Sequence, residues 1–343
     1  MRWKMALILL LTAGCLVWVL WGVDFGSMAQ SFTHFGWWVV FPGWALYALA
    51  HWVRCFRLRA LLGVELPTLR LYSITAIGFF AINVVPLRLG EFVRPYMLMQ
   101  DGINFGRSMA AIFVERLLDL LSLIVMLMAV SVFVEFPDGG LVLAGIDVIP
   151  AAQRFGSIVV GGGIVFCLMI VFVGKPVIAL VHRVLATLSP PMAEKICGFL
   201  DAFREGFRSL LASPRRACAV LLHSALIWSI VVTGVWIFLL GASTFEADWL
   251  MGLTSWTITL AGITVAPTPG FFGAYELFFS GALQLFEVAK DPAVSIALIV
   301  HLTQFGFGVL LGLFFLGYEG LSLRDVVSAS QAVATGETEE QSR

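Results

Sequence analysis

At 343 residues, 60 % hydrophobic and only 13 % charged, the chain lacks the surface of a soluble domain, in which about a quarter of residues are charged. Apolar runs of about 18 residues or more mark membrane-spanning helices, so the sequence describes an all-α polytopic membrane protein. A formal net charge of −1 gives no reason to expect nucleic acid, and Cys15, Cys55, Cys167, Cys197 and Cys218 are too scattered for a disulfide framework or a metal site.

The start, MRWKMALILLLTAGCLVWVLWG, has the basic lead and apolar run of a signal peptide. Thr12 stands where a lipoprotein cleavage box needs Leu, and the apolar run continues past Cys15. It therefore reads as an uncleaved first span over 5–22. Further full spans are expected at 36–53, 109–134, 155–174, 217–240 and 293–317, six in all. Two apolar pieces fit less well. Residues 73–86 number 14, about 20 Å as a helix against a hydrocarbon core of about 30 Å. Residues 249–267 carry Thr254, Ser255, Thr257, Thr259 and Thr264. Each piece ends at a proline, Pro86 or Pro267, and runs into a glycine-containing polar stretch.

Lys and Arg are enriched in short cytoplasmic loops. Arg2 and Lys4 precede the first span; Arg54, Arg57, Arg59 and Arg70 lie in 54–72; Lys175, Arg183, Lys195, Arg204, Arg208, Arg215 and Arg216 lie in 175–216. Residues 23–35, 135–154 and 241–248 instead carry mainly acids, among them Asp24, Glu135, Asp138, Glu246 and Asp248. This alternation works if the two short pieces dip in and return as re-entrant helical hairpins, about 73–100 and 249–290. Counting them as spans gives eight transmembrane segments and puts Arg88, Arg94 and Arg107 on the wrong side. An offset of 181 residues lays SITAIGFFAINVVP on TSWTITLAGITVAP. Two inverted units follow, about 36–134 and 217–317, inside an integral membrane region 1–320. Interrupted helices at matching positions of inverted repeats point to a transporter binding site.

The connection 175–216 reads as cytoplasmic. Its helix starts after Ser189 with Pro190 in the first position and stops at Pro214. Phe199, Leu200, Phe203, Phe207 and Leu210 share one face, as on a helix lying at a membrane surface. The tail 321–343 has the polar composition of a disordered segment.

Irregular backbone at membrane depth survives only where protein or a water-filled cavity covers it. The two tips should therefore face each other near the midplane. Pro86, Pro267 and Pro269 break helices, while Gly90, Gly270 and Gly273 permit tight turns. Arg88, Glu91 and Arg94 follow the first break, and Glu276 follows the second. Ionised groups at membrane depth pair with one another or line a pathway, and two arginines offer bidentate recognition of a phosphate. On the next span, Arg116 and Asp119 are spaced i, i+3 and can pair. Glu115 and Asp119 are like charges at i, i+4, unfavourable unless a proton or another base, such as Arg88 or Arg94, intervenes. The alternative is that Glu115 and Arg116 snorkel to the interface. His301 and Gln304 share a face in the last span, where a histidine can relay protons or simply hold a neighbouring helix. No P-loop or Rossmann glycine pattern occurs.

The segments GFFAINVVPLRLGEFVRPYML, AAIFVERLLDLLSL and TVAPTPGFFGAYELFF resemble the transmembrane region of lysylphosphatidylglycerol synthases, also called the flippase-like domain family, over about residues 5–320. The resemblance implies functional weight for Pro86, Arg88, Gly90, Glu91, Arg94, Glu115, Arg116, Asp119, Pro267, Pro269, Gly270, Gly273 and Glu276. It implies membrane lipids as partners and the cytoplasmic membrane of a bacterium or archaeon as the location; the arginines add phosphate-bearing headgroups, and the charge alternation puts both termini in the cytoplasm. The full synthases add a soluble aminoacyl-transferase domain, which this sequence lacks, so lipid aminoacylation is not expected. The expectation is a flippase or translocator for a phospholipid or lipid-linked anion, without cofactor, with possible coupling to protons. The alternatives are an intramembrane enzyme acting on a lipid carrier and a membrane scaffold.

Overall fold

The structure, a computed structural model, describes residues 12–84, 90–134, 142–143, 146–147, 174–187, 189–266 and 268–325, with isolated positions at 154–169 and 328. Pro86, Arg88, Pro267, the start of the first expected span, most of the expected span 155–174 and most of the tail 321–343 lie outside the described residues.

Helix α1 (Thr12–Leu20) is followed at an 89° bend by α2 (Phe25–His34). The bend has a local cause. The Asp24 carboxylate accepts the amide hydrogens of Gly26 and Ser27 at 3.0 and 3.1 Å, satisfying donors that the new helix would otherwise leave bare. After a 3-10 turn at Trp37–Val39, α3 (Val40–Leu62) runs well beyond residue 53, where the sequence reading ended it. Arg54 and Arg57 are therefore buried helical residues, a correction to their reading as part of a basic loop.

Next come α4 (Thr68–Val84), α5 (Val93–Gln100) and α6 (Phe105–Phe133). Two-residue strands, Val142–Leu143 and Ile146–Asp147, form a small antiparallel ladder, and the other elements among the described residues are helical. Helices α7 (Gly174–Ala186) and α8 (Pro190–Leu211) follow, the latter opening at the proline that its sequence signal indicated. The remaining helices are α9 (Pro214–Leu239), α10 (Trp249–Val265), α11 (Ala274–Gln284) and α12 (Lys290–Tyr318). A 3-10 turn at Pro269–Phe271 separates α10 from α11.

Among the described residues, α6, α9 and α12 are long and apolar enough to cross a membrane, and the bent pair α1–α2 makes a fourth candidate. Helices α4 and α10 are apolar but shorter. Both have 17 residues, and their starts stand 181 residues apart, as do those of α5 and α11. Helices α6 and α12 both have 29 residues. Neither α4 nor α10 has a polar face, and a helix that is apolar all round must be buried; most of both helices is. Three of their hydroxyls are satisfied by bonding back to the preceding turn: Thr75 to the Leu71 carbonyl at 2.7 Å, Thr254 to Leu250 at 2.8 Å and Thr259 to Ser255 at 2.6 Å.

The chain divides into two compact units. The first comprises Met1–Ala50, Ser122–Gly156 and Trp228–Leu310; the second comprises His51–Leu121, Ser157–Ile227 and Leu311–Arg343. The division falls within α3, α6, α9 and α12. Val39, Val235, Phe238, Tyr275, Phe279, Leu283 and Val300 are buried together in the first unit. In the second, Leu58, Leu62, Leu71, Ile74, Ile77, Met97 and Leu98 are almost wholly buried.

Candidate functional site

In the second unit, α3, α5 and α6 each bury charge. Glu115 of α6 accepts a hydrogen bond from Arg94 Nη1 of α5 at 2.7 Å, and its other oxygen lies 3.6 Å from Arg57 Nε of α3. Arg57 Nη1 donates to Asp119 at 2.9 Å and to the Ser224 hydroxyl of α9 at 3.1 Å. Arg116 closes the chain, 3.5 Å from the second oxygen of Asp119. Arg57 and Arg94 are each 1 % exposed, while the Arg116 side chain is 33 % exposed.

The like charges Glu115 and Asp119, adverse at i, i+4, are thus bridged by one guanidinium, that of Arg57. Phe79 of α4 serves the same cluster. The guanidinium carbons of Arg54, Arg116 and Arg94 stand 4.8, 5.7 and 5.9 Å from its ring centre, close enough for cation–π attraction. A Cβ on Gly90 would meet the backbone of Ala81 and Ile82. This glycine therefore permits the close approach of the segment leading into α5 to the end of α4.

Within the ion pairs, three guanidiniums meet two carboxylates, a surplus of one positive charge. Arg94 Nη2 and the Nε atoms of Arg57, Arg94 and Arg116 find no hydrogen-bond acceptor among the described groups.

The first unit holds a second polar constellation, centred on His301 of α12. Its Nδ1 lies 2.6 Å from Glu276 Oε1, and its Nε2 lies 3.0 Å from the Gly270 carbonyl oxygen. The other Glu276 oxygen accepts the Gly273 amide hydrogen at 2.7 Å. One histidine and one glutamate thus clamp both sides of the 268–273 turn, where Gly270, Phe271 and Gly273 have φ of 58°, 62° and 82°. Tyr275 stacks on the imidazole with centroids 4.2 Å apart, and its hydroxyl faces Gln304 at 3.4 Å. Phe272 covers another side of the ring at 4.8 Å.

Of the residues singled out in the sequence, Arg94, Glu115, Arg116 and Asp119 come together in the second unit. Glu276, His301, Gln304, Pro269, Gly270 and Gly273 come together in the first. Glu91 is half-buried ahead of α5. Burial of Glu115 at 1 % exposure overturns the interfacial alternative for that residue. Sequence reasoning missed Arg54, Arg57, Phe79, Ser224 and Tyr275. The i, i+3 spacing of Arg54 and Arg57, within an apolar pattern continuing to Leu62, was the available signal for the first two. Among the described residues, no group of three His, Cys, Asp or Glu side chains can hold a metal ion.

Residues 5–312 match the family described as "Lysylphosphatidylglycerol synthase TM region". The UPF0104 membrane protein PH1989 of Pyrococcus horikoshii is 26 % identical over 258 residues, covering 69 % of this chain and 72 % of that protein. No solved structure matches.

Proposed function

Because the chain belongs to the lysylphosphatidylglycerol synthase transmembrane-region family, an integral membrane family, we propose that it moves a lipid with an anionic, phosphate-bearing headgroup between membrane leaflets. The observation that carries this reading is the buried cluster of Arg57, Arg94 and Arg116 around Glu115 and Asp119. A phosphate crossing the hydrocarbon core loses its water, and a guanidinium replaces that water with paired, charge-assisted donors. The positive surplus of the cluster favours an anion, while its two carboxylates keep the site from binding one irreversibly. Arg116, partly exposed, is the residue that meets the headgroup first. Arg94 supplies donors deeper in the protein.

The equal lengths of α4 and α10, and the 181-residue offset shared by the α4/α10 and α5/α11 starts, support an internal repeat. We read this repeat as inverted, with re-entrant tips, and the protein as residing in a prokaryotic cytoplasmic membrane with both termini inside. These features suit a carrier that exposes one site to alternate leaflets.

Leaflet exchange of headgroup-labelled phospholipids in liposomes containing the purified protein tests the reading, with a membrane-impermeant quencher reporting the outer pool. Exchange should exceed that of protein-free vesicles, and Arg116→Ala should slow it about tenfold, the loss expected for one charged hydrogen bond. Exchange that is absent across neutral and anionic phospholipids, or unchanged by Arg116→Ala, would overturn it.

A further inference from the structure

The clamp on the 268–273 turn carries an assignment of hydrogens. A carbonyl oxygen only accepts, so the His301 Nε2 atom 3.0 Å from the Gly270 oxygen bears a hydrogen. A neutral imidazole with a hydrogen on Nε2 has a bare lone pair on Nδ1. That Nδ1 stands 2.6 Å from Glu276 Oε1, and two lone pairs cannot be held so close. A proton must lie between them. It belongs to an imidazolium facing a carboxylate or to a carboxyl facing a neutral imidazole, and the count is the same in both. The pair holds one proton more than a neutral histidine beside an ionised glutamate.

We propose that Glu276 and His301 form a proton-binding site whose occupancy docks the 268–273 turn on α12, and that loss of the proton releases the turn. Both ends of the turn depend on this pair. Gly270 is held by Nε2, and Gly273 by the Glu276 oxygen opposite the shared proton. The left-handed backbone at Phe271, a non-glycine residue with φ 62°, is of the kind that persists only when its surroundings hold it.

The titratable neighbours of the pair are few. Tyr275 stacks on the imidazole from α11, and Cys15 of α1 lies within electrostatic reach of Glu276. Gln304 of α12 is uncharged. Glu276 is fully buried, and its one ion-pair partner among the described residues is His301. Losing the proton leaves one imidazole hydrogen for two acceptors: a lone pair then faces either the buried Glu276 carboxylate or, with the hydrogen on Nδ1, the Gly270 oxygen, and one side of the clamp must part. As a proton site the pair stands without the lipid reading; as the step that couples protons to lipid movement it rests on that reading.

The test uses the full-length protein in lipid bilayers and two readouts. Nitrogen-15 histidine spectra, with His301 assigned by its absence from His301→Gln, report the protons on both ring nitrogens during a titration from about pH 5 to 9, the range histidine samples. In parallel, Phe271→Cys is labelled with a maleimide after Cys15, Cys55, Cys167 and Cys197 are replaced by Ser. The exposed Cys218 remains as an internal reference.

At low pH His301 Nε2 should carry a hydrogen, the pair should lose one proton in a single step, and labelling at position 271 relative to 218 should rise about tenfold with it. An Nε2 without a hydrogen at low pH, a pair that keeps its proton throughout with flat labelling, or a titration with flat relative labelling, overturns the proposal. So does a pair that keeps its proton throughout the range while labelling rises. The titration is read on wild-type protein, and His301 can also be assigned by elimination from Gln substitutions of His34, His51, His182 and His223, so a poorly folding variant at 301 leaves the test intact. Neither readout requires transport. Both can succeed while leaflet exchange fails, which would remove the lipid reading alone.

Discussion

In the second unit, α5 is tied to the long helix α6 by Arg94 and Glu115 at 2.7 Å; in the first, α11 is tied to the long helix α12 by Glu276 and His301 at 2.6 Å. With α6 and α12 aligned at their starts, Arg116 and Asp119 fall on His301 and Gln304. The acid has changed sides, from the long helix in one unit to the short helix in the other. The base has changed in kind. Arginine keeps its charge at every physiological pH, whereas histidine titrates near neutrality. The same short-helix, turn and long-helix plan therefore holds a permanent charge network in one place and an exchangeable proton in the other.

The sharpest way to break this contrast is at Arg57. Arg57→Ala leaves Glu115 and Asp119 facing each other in a buried site, and removing one partner of such a network costs about 3–5 kcal/mol. Thermal unfolding in detergent should show that loss undiminished from about pH 5 to 9, because guanidinium does not titrate there. His301→Ala should cost less, about 1–3 kcal/mol for the polar groups left without partners. Its cost should shrink as pH rises and the wild-type pair gives up its proton. Equal pH profiles for the two variants would erase the distinction between the units.

Much of this arrangement was legible in the sequence and some was not, for physical reasons. The uniformly apolar α4 and α10, each running toward a proline, announced themselves by composition and by their common offset. Arg116 and Asp119 were readable as a pair because i, i+3 neighbours meet on any helix. Arg57 was hidden by the rule that assigns clustered bases to cytoplasmic loops; only the carboxylates packed against it show why the helix continues. Glu276 and His301 are 25 residues apart, and no local periodicity could join them. Helix α2 escaped notice because ten residues are too few to cross a membrane, although Phe25, Met28, Ala29 and Phe32 repeat at i, i+3, i+4 and i+7 and Asp24 before them is a good N-cap.

Two smaller effects sharpen the picture of how each unit positions its turn. Gly90→Ala would push a methyl group into the Ala81–Ile82 backbone. Backbone yields less readily than a side chain, so a destabilisation of about 1–3 kcal/mol is expected by thermal unfolding. Arg94 should shift with it, weakening the response of leaflet exchange to Arg116→Ala.

The smallest effect is at Asp24, in the connection between α1 and α2. Its carboxyl is held below the ordinary carboxylate range by hydrogen bonds from the Ser27 side chain and the Gly26 and Ser27 amides. A group whose folded value is depressed stabilises the structure above its unfolded value and loses that contribution as pH falls through the folded one. The start of α2 should therefore be fully capped at neutral pH and fray only in acid. Amide exchange at Gly26 and Ser27, corrected for intrinsic rates, should rise on acidification in the wild type. In Asp24→Ala it should be fast and nearly flat with pH, while exchange in α12 stays unchanged. Equal protection of α2 in both proteins at neutral pH would mean that packing of α2, rather than its cap, sets the 89° bend after α1.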